Sequence, residues 1–285
     1  MSPAGGRGPC ETAVVTGPGG DHDPARGQAA LLHRAHLAGE LLDAAEHAVA
    51  ATMDQAYAVQ EQLTALRLAQ GRRVIGHKLG YTSAAMRAQM GVAEPNSGPL
   101  FDDMLLDGTA SGFVQPRVEP EIGVVLGRDL CAADLRGDGD GDDPDGDLER
   151  VAAAVAEVRP CLEVVDSVWR DYRFDITQNT ADGSSAAGVV VGPPLDVAPI
   201  DCLHTPVRLS RDGVEVAAAT GAAAGGHPLA GVVWLCDRLS RSGRGLAAGD
   251  LVMTGGLTAA VPLPVGGTVS AVFDGRTTVR VTRDR

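Results

Sequence analysis

The chain has 285 residues, 44% of them apolar but only 3% aromatic, and a net charge of −13. That length buries a full core in one large domain or two small ones, and the scarcity of aromatics leaves Val, Leu, Ala and Ile to build it. No basic stripe exists to displace counterions, no apolar run approaches the roughly eighteen residues of a membrane span, and no charged-then-apolar leader opens the chain, so nucleic-acid binding, membrane insertion and secretion are not expected.

Residues 1–27, rich in Gly, Pro and small polar residues, read as a disordered tail, and 28–285 as a single domain. From Gln28 to Ala51 the spacing of Leu31, Leu32, Ala35, Leu41 and Leu42 predicts a helix. A second helix starts at a capping box, Thr52-Met53-Asp54-Gln55, and stops near Gly71, which completes an N-terminal helical part over 28–72. Arg73 to Gly80 reads as a strand carrying Lys78. That lysine is either solvated or, as Gly76 and Gly80 suggest, held where backbones approach closely. Thr82-Ser83 caps a short helix, Ala84 to Met90. Asp102-Asp103 then sits among apolar residues, either as a solvated turn or with one acid turned inward.

The densest chemistry lies in Arg117-Val118-Glu119-Pro120-Glu121-Ile122-Gly123. Two acids at i and i+2 of a strand share a face, and carboxylates side by side resist burial unless something positive neutralises them. Glu163 lies in a second apolar strand, Pro160 to Asp166. Three inward acids with no Lys or Arg run nearby suggest a hard divalent cation held by oxygen, Mg²⁺ or Mn²⁺. The alternative is the wet face of an edge strand, which Pro120 permits.

Eight acids lie between Asp134 and Glu149 against Arg136 alone, so this stretch holds more than half of the net charge of −13. No frame puts Gly sixth and Glu twelfth as a calcium loop requires, and 134–149 reads as a flexible, solvated insertion. Residues 148–158 return to a helical pattern. Asp182-Gly183-Ser184-Ser185-Ala186 is a small-residue loop before the strand Val189 to Val191. His227-Pro228 opens a helix. Leu251 to Thr254 is a strand running into Gly255-Gly256-Leu257-Thr258, and Asp274-Gly275 turns a closing hairpin. The five cysteines are scattered without a C-x-x-C pair, which points to reduced thiols in a cytoplasm.

In order, Gly76-His77-Lys78-Leu79-Gly80-Tyr81-Thr82-Ser83, Leu100-Phe101-Asp102-Asp103-Met104, Pro116-Arg117-Val118-Glu119-Pro120-Glu121, Leu162-Glu163-Val164-Val165-Asp166-Ser167, His227-Pro228-Leu229 with Val233-Trp234-Leu235, and Thr254-Gly255-Gly256-Leu257-Thr258 form one set. This set resembles the 2-keto-4-pentenoate hydratase family of the fumarylacetoacetase superfamily, which includes 2-oxohept-3-enedioate hydratases and 4-oxalocrotonate decarboxylases. The likeness spans roughly residues 40–275.

The resemblance implies an α+β fold, a mixed β-sheet rolled on itself with flanking helices, like the fumarylacetoacetase C-terminal domain. It implies a cytoplasmic homo-oligomer, alone or with a sister decarboxylase or hydratase, and Mg²⁺ or Mn²⁺ on Glu119, Glu121 and Glu163. By position it gives Lys78 and Asp103 as a catalytic proton-transfer pair, with the Lys78 pKa pushed down by the cation. Ser185 and Thr258 fall in substrate-binding loops. The implied activity is metal-dependent hydration of a 2-hydroxy-2,4-dienoate, or its 2-oxo-alkenoate tautomer, to a 4-hydroxy-2-oxo acid. The alternatives are decarboxylation of a vinylogous 2-oxo diacid, C–C hydrolysis of an acylpyruvate, an adapted biosynthetic isomerase or cyclase, and a non-catalytic complex partner. Two departures stand out: Gly183 where the family pattern Asp-Asn-Ala-Ser-Ser has Asn, and Gly256 where it has Ser.

Overall fold

Proline tolerates the first turn of a helix, and Pro24 opens α1 (Pro24–Ala38), whose Ala29, Leu32 and Ala35 are buried. The computed structural model describes residues 24–84, 87–88, 91–135 and 143–284. The expected disordered tail lies outside them up to residue 23, and 24–27 belong to α1. The helix expected to reach Ala51 stops at Ala38. Gly39 takes a left-handed φ of 61°, and the Glu40 N–H turns back to the Ala35 carbonyl at 2.9 Å. The chain then crosses to Trp169, where Leu42 forms a parallel bridge. α2 (Met53–Ala69) starts where the capping box put it, with the Thr52 side chain accepting the Gln55 N–H.

The strands in chain order are β1 (Val74–Gly80), β2 (Asn96–Phe101), β3 (Thr109–Ala110), β4 (Arg117–Leu126), β5 (Val155–Val165) and β6 (Ala186–Val191). They continue as β7 (Pro206–Arg211), β8 (Val214–Thr220), β9 (Leu251–Met253), β10 (Val261–Pro262), β11 (Thr268–Phe273) and β12 (Thr277–Arg283). The larger sheet runs β2-β1-β9-β4-β5-β6, with β10 pairing β4, and its two outer strands β2 and β6 come back into contact. β1 pairs β9 in parallel and the other pairings of this sheet are antiparallel. The smaller sheet runs β3-β12-β11-β7-β8, and Asp274 (φ 53°) with Gly275 (φ 68°) turns its hairpin as expected. This is the α+β architecture of a mixed sheet rolled on itself with flanking helices.

Three further helices matter here: α3 (Pro144–Ala152), α4 (Ile176–Ala181) and α5 (Pro228–Ser240). Residues 136–142 of the acidic stretch lie outside the described residues. The described rest of it is helical rather than a flexible insertion: Asp134 and Leu135 end a short helix, Ala132–Leu135, and 143–149 start α3, capped by Asp143, with Asp145 and Asp147 in the first turn, where a helix favours negative charge. The helical pattern expected to reach 158 ends at Ala152, because Val155 and Val158 enter the β4–β5 ladder. Four residues of the expected helix from Ala84 to Met90 lie outside the described residues. Among the described residues no helix is long and apolar enough to cross a membrane.

Strand alternation decides where the chemistry goes. Val118, Ile122 and Val124 of β4, with Leu162 and Val164 of β5, enter the main core beside Leu229, Val232 and Leu235 of α5 and Phe273 of the smaller sheet. The residues between them, Glu119, Glu121, Cys161 and Glu163, therefore project to the opposite, inner face of the roll.

Candidate metal centre and its cleft

Antiparallel pairing sets Glu119 directly opposite Glu163 and Glu121 opposite Cys161. Glu119, Glu121 and Glu163 thus stand together, each offering a carboxylate oxygen within 4.8 Å of the others. Glu121 and Glu163 are buried and Glu119 is half-buried. The Gly255 N–H donates to Glu121 Oε2 at 2.8 Å, but Glu121 Oε1 and both Glu163 oxygens accept no hydrogen bond. Burial pushes the Glu119 carboxyl up to about 7, and the charge of Glu163 adds to it against the pull of Lys78 and Arg117. Burial and then Glu163 hold Glu121 well above its ordinary value. Burial also raises Glu163 despite Lys78.

Lys78 reaches the same space from β1 and is 4% exposed. Its Nζ donates to the Ser184 carbonyl at 2.9 Å and lies 3.3 Å from Glu163 Oε1, a charge contact without hydrogen-bond alignment. Burial alone would lower the ammonium's pKa, but the charges of Glu163, Glu121 and Glu119 outweigh it and raise it. That direction belongs to the protein without a cation; the downward shift expected of Lys78 concerns the site with a cation bound. One ammonium against three carboxylates, two buried and one half-buried, leaves net negative charge that burial makes costly. Three orphaned carboxylate oxygens in an all-oxygen donor set fit a hard divalent ion such as Mg²⁺ or Mn²⁺.

The loop after α4 shapes the rest. Gly183, Ser184 and Ser185 all have left-handed φ, 75°, 58° and 57°. For each serine that conformation costs roughly 1–2 kcal/mol, offset by a closed set of contacts. The Ser184 N–H donates to the Asn179 carbonyl at 2.8 Å and its Oγ to Asn96 Oδ1 at 3.0 Å, while Asn179 Nδ2 donates to Ser185 Oγ at 2.9 Å. β2 lies so near that a Cβ on Gly98 would land on the Gly183 carbonyl oxygen. Likewise a Cβ on Gly256 would land on Glu119 Oε2, so the glycine in the closing loop leaves the space that this carboxylate occupies.

Together these groups line a cleft of about 140 Å³ that includes Lys78, Tyr81, Glu119, Asn179, Ser184 and Ser185, with Val165, Tyr172 and Phe174 as its apolar wall. Burial raises the Tyr81 hydroxyl to about 12, and it donates to Asn179 Oδ1 at 3.2 Å. Of the residues read from sequence, the structure brings together Glu119, Glu121, Glu163, Lys78 and Ser185. The half-buried Thr258 follows Gly256 in the closing loop and turns its hydroxyl to the Ala259 carbonyl at 3.2 Å.

Asp103 is not paired with Lys78. It pairs with Arg67 at 2.8 Å and Arg72 at 3.2 Å, and faces a separate cavity of about 280 Å³ behind the loop. The acid pair caps the end of β2 at a short 3-10 turn, where Asp102 pairs with Arg73. The side chain that approaches Lys78 from β2 is instead Asn96, through Ser184. Nothing in its local sequence, an Asn between Pro95 and Ser97, marks it for burial.

No family model matches the chain. A 2-keto-4-pentenoate hydratase from Burkholderia vietnamiensis is 39% identical over 237 residues, covering 80% of this chain and 84% of that protein. A 2-hydroxyhexa-2,4-dienoate hydratase from Comamonas testosteroni is 33% identical over 237 residues, covering 81% and 86%. Among solved structures, 4-oxalocrotonate decarboxylase from Pseudomonas putida G7, complexed with magnesium and adipate, superposes with a TM-score of 0.81 at 31% identity over 91% of this chain and 97% of that one. Fumarylpyruvate hydrolase from Pseudomonas aeruginosa, in complex with Mn²⁺ and pyruvate, shares the fold at a TM-score of 0.54 and 17% identity, over 73% and 88%.

Proposed function

The chain belongs to the 2-keto-4-pentenoate hydratase family, and on that premise we propose that it adds water to a 2-hydroxy-2,4-dienoate to give a 4-hydroxy-2-oxo acid. The observation that carries this reading is a three-carboxylate cluster in contact with a buried lysine at the edge of a small cleft. Glu119, Glu121 and Glu163 would hold Mg²⁺ or Mn²⁺, which would supply Lewis acidity for the negative charge that develops on the substrate.

The chain's own groups move protons and exclude water. The dienol loses its C2 hydroxyl proton and gains one at the far end of the conjugated system. Water then delivers hydroxide to C4 and a proton to C3, so the sum is one added water. Lys78 Nζ, aimed by the Ser184 carbonyl, is the proton carrier within reach of that cleft. Ser185 borders the substrate, and Val165, Tyr172 and Phe174 receive its unsaturated tail. Thr258 stays a candidate on the closing loop. Asp103, tied to Arg67 and Arg72, takes no part.

Decarboxylation of a vinylogous 2-oxo diacid is the second reading, favoured by the likeness to a solved decarboxylase. Against it, Lys78 is the only cation among the described lining residues and is already committed to Glu163 and Ser184, so a second carboxylate finds neutral polar and apolar groups but no free cation there. A homo-oligomer in the cytoplasm is part of the proposal. It is supported by β8, an edge strand whose Val214 (66%) and Val216 (44%) are exposed.

The test offers the purified protein, with Mg²⁺, either 2-hydroxypenta-2,4-dienoate or 2-oxohex-3-enedioate. Loss of dienoate absorbance with a 4-hydroxy-2-oxo acid formed, and no CO₂ from the diacid, is the expected outcome. CO₂ release from the diacid without dienoate hydration moves the assignment to the decarboxylase.

A further inference from the structure

Asp182 opens the loop that carries Ser184 and Ser185 into the cleft, yet its own side chain turns to the other side of that loop and is 0% exposed. Its Oδ1 lies 2.7 Å from His36 Nε2, while Oδ2 has no protein partner. A buried carboxylate needs compensation where it sits. Among the described residues, His36 is the one side chain that hydrogen-bonds it.

His36 does not belong to the catalytic sheet. It lies in the last turn of α1, whose Ala29, Leu32 and Ala35 pack into a separate cluster with Trp169 and Ala181. The cavity of about 280 Å³ behind the loop is lined by His36, Asp182 and Gly183 alike, so that side of the loop is not backed by a filled core. On the cleft side, the same loop presents the Ser184 carbonyl to Lys78 at 2.9 Å through three successive left-handed residues. A loop held in so unfavourable a conformation keeps it only while surrounding contacts over-determine it.

We propose that His36 is a positioning residue of the active site, acting through Asp182 to hold loop 182–185 against Lys78. This rests on the role given to Lys78 above. The helix that looks like an appendage of the fold thereby sets the aim of the proton-carrying group.

The experiment compares full-length wild type with His36→Ala, His36→Gln and Leu32→Ala. Turnover of the dienoate, thermal melting and amide hydrogen exchange without substrate are measured on each. His36→Ala is expected to lower kcat about 10- to 100-fold with little change in KM, as a misplaced catalytic group does. Exchange is expected to quicken at the Ser184 and Ala186 amides, and His36→Gln, which keeps a donor for the carboxylate, to recover much of both. Leu32→Ala loosens α1 in its core and is expected to lower the melting temperature while keeping kcat.

Unchanged exchange over 182–186 in folded His36→Ala overturns the proposal, as does an equal kcat loss in Leu32→Ala. If His36→Ala does not fold, Asp182→Asn measured the same way must show the same pattern, or the proposal fails. Exchange is read without substrate, so a wild type that turns over no dienoate sinks the hydratase reading alone.

Discussion

An ammonium that is 4% exposed, standing 3.3 Å from one carboxylate and near two more, stays charged because of those neighbours. The same neighbours raise one another. Glu119 moves from 4.5 up to about 7, first through burial and then through Glu163. A carboxyl raised on folding contributes stability that is present below its unfolded value and lost as pH rises through its folded value. The metal-free protein should therefore lose melting temperature between roughly pH 5 and pH 7, and Glu119→Gln should flatten that slope. A cation must displace the same proton. Its apparent affinity should fall on acidification through pH 7, with proton release visible as a buffer-dependent binding enthalpy. An affinity flat from pH 8 to pH 6 would contradict the shifted carboxyl. Asp103 supplies the contrasting case. Its pairs with Arg67 and Arg72 are partly exposed, so Asp103→Ala should cost within about 1 kcal/mol of stability and leave kcat near wild type. Lys78→Met should reduce kcat at least 100-fold, the low end for losing an acid–base group. Equal kcat losses in the two variants would restore the Lys78–Asp103 pair.

Among the elements, β4 was the most legible. Acids at i and i+2 between Val118 and Ile122 share a face by strand geometry alone, and that face proved to be the inner one. What places Glu163 beside them is the β4–β5 register, a long-range pairing that local sequence does not state. The place of Asp103, which the resemblance set beside Lys78, was illegible for a related reason. An acid amid Leu100, Phe101 and Met104 looks inward, but a 3-10 turn carries it off the end of β2 toward Arg67, which lies on a helix 36 residues away. Left-handed Ser184 and Ser185 left no mark, since serine does not advertise that conformation as glycine does. The glycines were the better guide. Gly76 and Gly80 suggested close approach, and a Cβ on them would land on the Leu251 carbonyl and on Asn96 Oδ1. Gly98 extends this to the substrate loop. Gly98→Ala pushes backbone against the Gly183 carbonyl and should cost about 1–3 kcal/mol. It should lower kcat more than metal affinity, read by melting and calorimetry. A fully active Gly98→Ala would show that the β2–loop contact is not needed.

At the scale of the whole molecule, the rolled sheet brings β1, β4 and β5 around one inner face, and helices from the N-terminal part close over the loop that completes it. That arrangement gathers three acids and a lysine from sequence positions 78 to 163 into one cluster, which opens to the cleft through Lys78 and Glu119, and leaves the main core to the other face. The apolar periodicity of the chain marked its strands, while the roll came from the resemblance and not from any single element. The central claim is that Glu119, Glu121 and Glu163 hold one divalent cation per chain and that turnover depends on it. The most direct measurement strips the wild type and Glu163→Gln with a chelator, then titrates Mg²⁺ by calorimetry while following dienoate hydration. The account predicts no turnover in the stripped wild type, recovery in step with one Mg²⁺ bound per chain, and neither binding nor recovery in a folded Glu163→Gln. Full turnover by the stripped wild type, or undiminished Mg²⁺ binding by Glu163→Gln, would contradict it.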